Sequence, residues 1–109
     1  HHAIVWQDRR TAEYCTQNFS KYEEVCRKKT GLPLDPYFSG TKMRWLLDHV
    51  PAVKAAADRM DLCLSTVDAF LVHRLTGGRS FVTEASNASR TMLMSLETFN
   101  WDNDLLKFF

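Results

Sequence analysis

The sequence is poor in the features that mark fibrous, membrane-spanning or nucleic-acid-binding chains. It contains 4 Gly and 3 Pro in 109 residues, too few for a collagen-like or low-complexity chain. No apolar run approaches the ~18 residues of a membrane-spanning helix. The 14 Lys and Arg residues nearly balance the 13 Asp and Glu residues, which leaves a net charge of +1. We therefore expect neither a nucleic-acid nor a membrane partner.

Several common catalytic motifs are also missing. The chain has neither the phosphate loop G-x-x-x-x-G-K-S/T nor the dinucleotide loop G-x-G-x-x-G, and neither G-x-S-x-G nor H-E-x-x-H. Its three cysteines, Cys15, Cys26 and Cys63, have the spacing of neither a disulfide framework nor a zinc site. We interpret them as reduced, buried thiols of a cytosolic protein.

The residues that are present are those of an ordinary globular domain. Hydrophobic residues make up 45% of the chain and aromatic residues 12%, enough for one modest core. His1 to Trp6 has no basic segment followed by an apolar stretch and a cleavage site, so no signal peptide is predicted. Because the chain enters an apolar run almost at once, we expect residues 1–109 to form a single incomplete domain.

Helical periodicity dominates the pattern. A helix is predicted over residues 10–29, with Gly31 ending it in a left-handed conformation. Its apolar stripe consists of Cys15, Phe19, Tyr22 and Cys26. Further helices are predicted over residues 41–50, 52–59, 67–75 and 102–109. Their predicted start signals are Ser39 or Thr41, Pro51, a capping box at 65–68, and Asp102.

Short β-branched and apolar runs predict strands at residues 3–6, 62–64 and 80–85. The pattern at residues 92–96 does not decide between strand and helix. Strands that alternate with helices predict a helix-rich α/β fold. Three short strands make a poor sheet alone, which again indicates an incomplete domain.

The candidate binding residues follow the first predicted strand and the loop at residues 32–36, which contains two prolines. Trp6, Asp8 and Arg10 combine an aromatic ring, an acid and a guanidinium at a strand end, where α/β proteins place ligands. Tyr37 adds a hydroxyl just before a helix. A Trp face and a Tyr hydroxyl together suit a small polyol, which is apolar on its C–H side. The alternative is that Trp6 and Tyr37 are ordinary core aromatics.

A longer motif surrounds Tyr37. The thirteen residues Tyr37 to His49 have the form aromatic-x-Ser-x-x-Lys-apolar-x-Trp-apolar-x-Asp-His. This segment resembles the signature of the FGGY carbohydrate kinases. The flanking segments at 3–11, 30–33, 66–68 and 87–93 extend the resemblance over essentially the whole chain, and they are similar to the glycerol-phosphorylating members.

The resemblance implies ATP- and Mg²⁺-dependent transfer of a phosphoryl group to glycerol. The implied fold is two RNase-H-like domains of the actin and hexokinase type, with this chain in the middle of the N-terminal, polyol-binding domain. The implied parent is a cytoplasmic homo-oligomer. The family's phosphate loop and catalytic aspartate would lie outside residues 1–109, so no catalytic, ATP-binding or metal-binding residue is assigned here.

Residue by residue, the resemblance implies that Trp6 packs against the glycerol carbons and that Tyr37 hydrogen-bonds a glycerol hydroxyl. Asp8 and Arg10 would shape the pocket. Arg90, in the matching Asn-Ala-Ser-Arg-Thr segment, would anchor structure near the cleft rather than perform chemistry.

The chain also departs from the family pattern. Met60 occupies a site often held by Gly, which is costly if the backbone there needs a positive φ. Glu84 replaces an Asp, and His73 stands where an apolar or aromatic residue is common. Leu64-Ser65 and Ala69-Phe70 depart as well. Two alternatives therefore stay open: an inactive, self-associating interaction module, and a kinase of the same family with a different sugar or polyol substrate.

Overall fold

The computed structural model describes residues 1–109 as short helical segments joined by loops. Two irregular turns come first, a π-helical turn at Tyr14–Asn18 and a 3-10 turn at Ser20–Tyr22. The α-helices are α1 (Glu23–Thr30), α2 (Ser39–His49), α3 (Pro51–Asp58), α4 (Val67–Leu75), α5 (Ala85–Ala88) and α6 (Asn103–Phe108). None of these helices is long and apolar enough to cross a membrane.

The first predicted helix is interrupted at Phe19. The Phe19 N–H donates to the carbonyl of Tyr14, five residues back, at 2.9 Å, which is a π-type turn. The Phe19 ring packs edge-on against Tyr14 and Phe109, with centroids 5.6 and 5.0 Å away. The helix therefore widens where Phe19 enters the core, and regular α1 begins only at Glu23.

Three predicted helix boundaries are confirmed. Gly31 has φ of 70° and its N–H donates to the Arg27 carbonyl at 2.9 Å, so it ends α1 in the left-handed region. Pro51 stands at the start of α3. The Asp102 carboxylate accepts from the N–H groups of Asp104 and Leu105 at 3.0 and 3.1 Å, which caps α6.

Two other predicted start signals are wrong. Helix α2 begins at Ser39, after Phe38, and no side chain caps it. The Thr41 hydroxyl lies inside the helix and bonds Thr11 instead. At the start of α4 the Thr66 hydroxyl donates to the Asp68 carboxylate and accepts no backbone N–H, so the capping box at 65–68 does not form.

The strands predicted at residues 3–6, 62–64 and 80–85 are wrong for this chain. Its only β-pairing is a single antiparallel bridge between Met94, in the undecided stretch 92–96, and Trp101. A strand needs a partner backbone, and none of these segments pairs with another extended segment. The Val5 carbonyl, for example, accepts from the Lys42 ammonium and the Asp8 N–H. The helix-rich part of the fold prediction is confirmed.

The core lies between α1, the loop after it and the C-terminal segment. It consists of Phe19, Cys26, Leu32, Phe38, Met92, Leu93, Leu105 and Phe109. Cys15 and Cys26 are buried as expected, and burial raises the pKa of each thiol to about 11. Cys63 is exposed, against expectation, because it alternates with the inward-facing Leu62 and Leu64.

Candidate functional site

Trp6 and Tyr37 lie side by side at the surface. Their ring centroids are 6.0 Å apart and the ring planes are tilted by 57°. The residues are 63% and 47% exposed, so neither is part of the core that residues 1–109 form. This pair, called here the aromatic corner, offers both an apolar ring face and a phenolic hydroxyl to a small ligand.

A tight turn presents Tyr37. The Asp35 carboxylate accepts from the Tyr37 N–H at 2.8 Å, and the Asp35 carbonyl accepts from the Phe38 N–H at 3.2 Å. The Tyr37 ring packs edge-on against the buried Phe38 ring, 5.1 Å away. The Arg90 guanidinium lies 5.0 Å from the centre of the same Phe38 ring. These contacts fix the side of the corner that Tyr37 forms.

Asp8 and Arg10 form an ion pair directly after Trp6. The Arg10 Nη2 lies 2.7 Å from the Asp8 Oδ2, and the Arg10 backbone N–H also donates to Asp8 at 2.9 Å. Hydrogen bonds from Arg10 lower the pKa of Asp8 to about 2. The guanidinium stacks 4.5 Å over the Trp45 ring of α2, which anchors the pair to that helix. Both side chains are committed to each other, which suits a supporting role.

Lys42, in the first turn of α2, connects the two sides of the aromatic corner. Its Nζ donates to the carbonyl of Val5 at 3.0 Å and to the carbonyl of Tyr37 at 2.9 Å. Lys42 is only 7% exposed, and burial lowers its pKa. Sequence reasoning recognised Lys42 as a motif position but assigned it no role. A lysine one turn before Leu46, on the side that α2 buries, was the available signal.

A second buried link joins the N-terminal segment to α2. The hydroxyls of Thr11 and Thr41 are 3.0 Å apart, and both residues are 0% exposed. An exposed ion pair between Arg9 and Asp35, at 3.8 Å, adds a weak link. Residues 5–11 are therefore held against α2 and its preceding turn at several points.

A large cavity of the chain lies away from the aromatic corner. It has a volume of about 730 Å³, and Met43, Leu47, Leu64, Phe81 and Leu93 contribute to its largely apolar wall. None of the four predicted site residues lines it. The chain also gathers no group of three His, Cys, Asp or Glu side chains that could hold a metal ion.

The sequence and the fold together define the class of protein. The description "FGGY family of carbohydrate kinases, N-terminal domain" matches residues 1–109, and the chain belongs to this family. Its curated relatives include the glycerol kinases of Deinococcus radiodurans and Rhodopseudomonas palustris, which are 52% and 55% identical to it over 107 and 108 residues. Each alignment covers 98% of this chain. The chain spans only about a fifth of the length of these two glycerol kinases, 21% and 22%.

Solved structures give the same picture. A structure of Plasmodium falciparum glycerol kinase with ADP superposes on the whole chain with a TM-score of 0.93 and 36% identity, over 22% of that structure. A ligand-bound xylulose kinase from Lactobacillus acidophilus matches 95% of the chain, over 20% of its own, with a TM-score of 0.77. At 24% identity the second match supports the fold alone.

Proposed function

We propose that the protein containing these residues is an ATP-dependent glycerol kinase, which transfers the γ-phosphoryl group of ATP to glycerol and forms glycerol 3-phosphate. The observation that carries this proposal is the exposed aromatic corner of Trp6 and Tyr37, in a chain more than 50% identical to glycerol kinases. Glycerol is small, apolar along its C–H face and polar along its hydroxyl face. The corner presents one surface of each kind.

In this proposal the residues of the chain bind and orient the substrate. The Trp6 ring covers the carbon chain of glycerol, and the Tyr37 hydroxyl bonds one of its oxygens. Asp8 and Arg10 shape the pocket by holding the segment after Trp6 against Trp45. Holding the polyol in one orientation favours reaction at a single terminal hydroxyl.

The remaining machinery would come from residues outside this chain. ATP and Mg²⁺ would be held there, where Mg²⁺ would neutralise phosphate charge during transfer. The P. falciparum glycerol kinase structure contains ADP, which supports nucleotide use. We further propose that residues 1–109 form the middle of an RNase-H-like N-terminal domain, within a two-domain, cytoplasmic, homo-oligomeric enzyme.

The test is a substrate panel on the full-length protein. ATP consumption would be measured with glycerol, xylulose, ribulose and gluconate, for the wild type and for Trp6→Ala. We expect glycerol to give the highest kcat/KM, and Trp6→Ala to raise the KM for glycerol by about tenfold or more with the KM for ATP unchanged. Preference for one of the sugars would replace glycerol with another family substrate. Absence of any activity would favour the inactive interaction module.

A further inference from the structure

Lys42 is the one lysine of the chain that is buried, and its environment is unusual. Lysine is almost never fully buried unless it is paired with an opposite charge. Lys42 nevertheless takes part in none of the ion pairs of the chain. Its ammonium is satisfied by two neutral backbone carbonyls, at 3.0 and 2.9 Å.

The two carbonyls belong to the two halves of the aromatic corner. One is that of Val5, directly before Trp6 and 37 positions before Lys42, and the other is that of Tyr37 itself. A single ammonium therefore fixes the backbone on both sides of the corner to α2. Neither carbonyl belongs to a helix or a strand, so regular secondary structure does not fix the distance between them.

Stability alone does not explain a lysine at this place. Burying a charge without an ion pair is costly, and an apolar side chain of similar volume is often as stable or more stable at such a site. The negative charges of Asp8 and Asp35 favour the protonated ammonium, but from beyond ion-pair distance. What the lysine adds over an apolar residue is the pair of bonds to the corner.

We propose that Lys42 is a positioning residue for polyol recognition, whose ammonium sets the separation of Trp6 and Tyr37. This inference rests on the proposed function of the corner. Lysine suits the task because its ammonium is compact and its three N–H groups diverge, so it can bond carbonyls from two segments. The larger, planar guanidinium of arginine is shaped for bidentate partners instead.

The test uses the full-length protein with Lys42→Met, Lys42→Gln and Lys29→Met. Methionine is one atom shorter than lysine and keeps most of the volume of the side chain, but it donates no hydrogen bond. Glutamine is one atom shorter and reaches at most one of the two carbonyls, which provides a second variant if Lys42→Met does not fold. Lys29→Met is the matched control, because Lys29 bonds Asp102 and Asp104 far from the corner.

We expect Lys42→Met to raise the KM for glycerol by at least about tenfold, because displaced binding groups lose affinity steeply. Lys42→Gln should raise it less. The KM for ATP should change by less than about twofold in every variant. Lys29→Met should lower the melting temperature and leave the KM for glycerol unchanged. A wild-type KM for glycerol in either Lys42 variant would overturn the proposal.

A crystal structure of a folded Lys42 variant separates this inference from the proposed function. The Trp6 and Tyr37 rings should move away from the 6.0 Å separation of the wild type. Rings that keep this separation would overturn the positioning role, whatever the substrate. If the wild-type protein phosphorylates a different polyol, the proposed function is wrong. The Lys42 variants are then compared with the wild type by their KM for that polyol instead of glycerol.

Discussion

The hydroxyls of Thr11 and Thr41 lie 3.0 Å apart, and neither residue is exposed to solvent. The Thr41 hydroxyl has a second partner, the Phe38 carbonyl at 3.3 Å, whereas Thr11 has only Thr41. The two partners are therefore not equivalent. Removing the Thr41 hydroxyl leaves the buried Thr11 hydroxyl without a hydrogen-bond partner. Removing the Thr11 hydroxyl leaves Thr41 bonded to the Phe38 carbonyl.

Valine substitutions test this asymmetry, since valine nearly matches threonine in shape. We expect Thr41→Val to lower the free energy of unfolding by about 1–3 kcal/mol, because the Thr11 hydroxyl loses its partner. Thr11→Val should lower the free energy of unfolding by less than Thr41→Val does. The double variant should lower it by less than the sum of the two single changes. Chemical denaturation of the wild type, the two single variants and the double variant completes this double-mutant cycle. Additive effects would show that the two hydroxyls do not interact.

Met60 has φ of 58° and is 93% exposed, so its side chain adds strain without burial. The family resemblance places Gly at this site, and glycine adopts positive φ without a Cβ clash. We expect Met60→Gly to raise the free energy of unfolding by about 1 kcal/mol.

Met92 provides the matched control for Met60. It has φ of 64° but is 0% exposed within the core. Met92→Gly should therefore lower stability by about 2–5 kcal/mol, because the lost packing outweighs the relieved strain. Denaturation of both variants checks the pair. A loss of stability in Met60→Gly would show that its backbone is not strained.

Gly40 lets the C-terminal segment contact α2. Its N–H donates to the Thr91 carbonyl at 2.7 Å, and a Cβ at this position would lie 2.9 Å from the same oxygen and 3.1 Å from the Phe109 ring. We expect Gly40→Ala to destabilise the protein by about 1–3 kcal/mol. Ser39→Ala, one position earlier, should change stability by less than about 0.5 kcal/mol, because no cap bond is lost. Equal losses of stability in Gly40→Ala and Ser39→Ala would contradict the close contact of Gly40 with Thr91 and Phe109.

Two carboxylates should make stability fall in acid. Hydrogen bonds from Arg10 lower the pKa of Asp8 from 3.8 to about 2, and bonds from Ser86 and Asn87 lower the pKa of Glu84 from 4.5 to about 2. A depressed folded-state pKa contributes stability that is complete above the ordinary value and is lost as the pH falls towards 2.

Melting temperatures measured from about pH 6 to pH 2 check this dependence. Asp8→Asn and Glu84→Gln should each lower the melting temperature near neutral pH and make its decline below about pH 4.5 shallower. Lys28→Gln leaves both carboxylates in place, so its melting temperature should fall with decreasing pH as steeply as that of the wild type. A variant of Asp8 or Glu84 with the wild-type slope would show that its carboxylate does not drive the acid response.

The 109 residues by themselves expose much apolar surface. The accessible area is 7314 Å², against about 6,200 Å² expected for a compact monomer of this mass. The apolar stripe of α4 contributes to the excess, because Val67, Phe70, Leu71 and Leu75 are 50–85% exposed. Expressed alone, the chain should self-associate, and Phe70→Ser with Leu71→Ser should weaken the association. Sedimentation velocity that shows a monomer at all concentrations would contradict this expectation.

Local signals in the sequence predicted the helices well. Gly31, Pro51 and Asp102 act through the backbone next to them, so their effect does not depend on distant residues. The strands were not predictable in the same way, because a strand forms only against a partner. Residues 62–64 keep the alternation of a strand without any pairing. Helical periodicity likewise does not show what covers a helix, and the apolar stripe of α4 is exposed in this chain.

The candidate site was partly predictable. The residue types and the family resemblance singled out Trp6 and Tyr37, and the structure shows that these residues, 31 positions apart, are neighbours. Their roles in binding remain proposals. The link through Lys42 could not be read from the motif, because it depends on two backbone carbonyls whose positions only the folded chain defines.

The most direct test of the account is the glycerol dependence of the full-length protein with Tyr37→Phe. The change removes only one hydroxyl, and Tyr22→Phe is the matched control, because Tyr22 stacks on Phe108 away from the corner. We predict that Tyr37→Phe raises the KM for glycerol by about 3–10-fold, the value of one lost hydrogen bond, while Tyr22→Phe leaves it unchanged. An unchanged KM for glycerol in Tyr37→Phe would contradict the assignment of the aromatic corner as the polyol site.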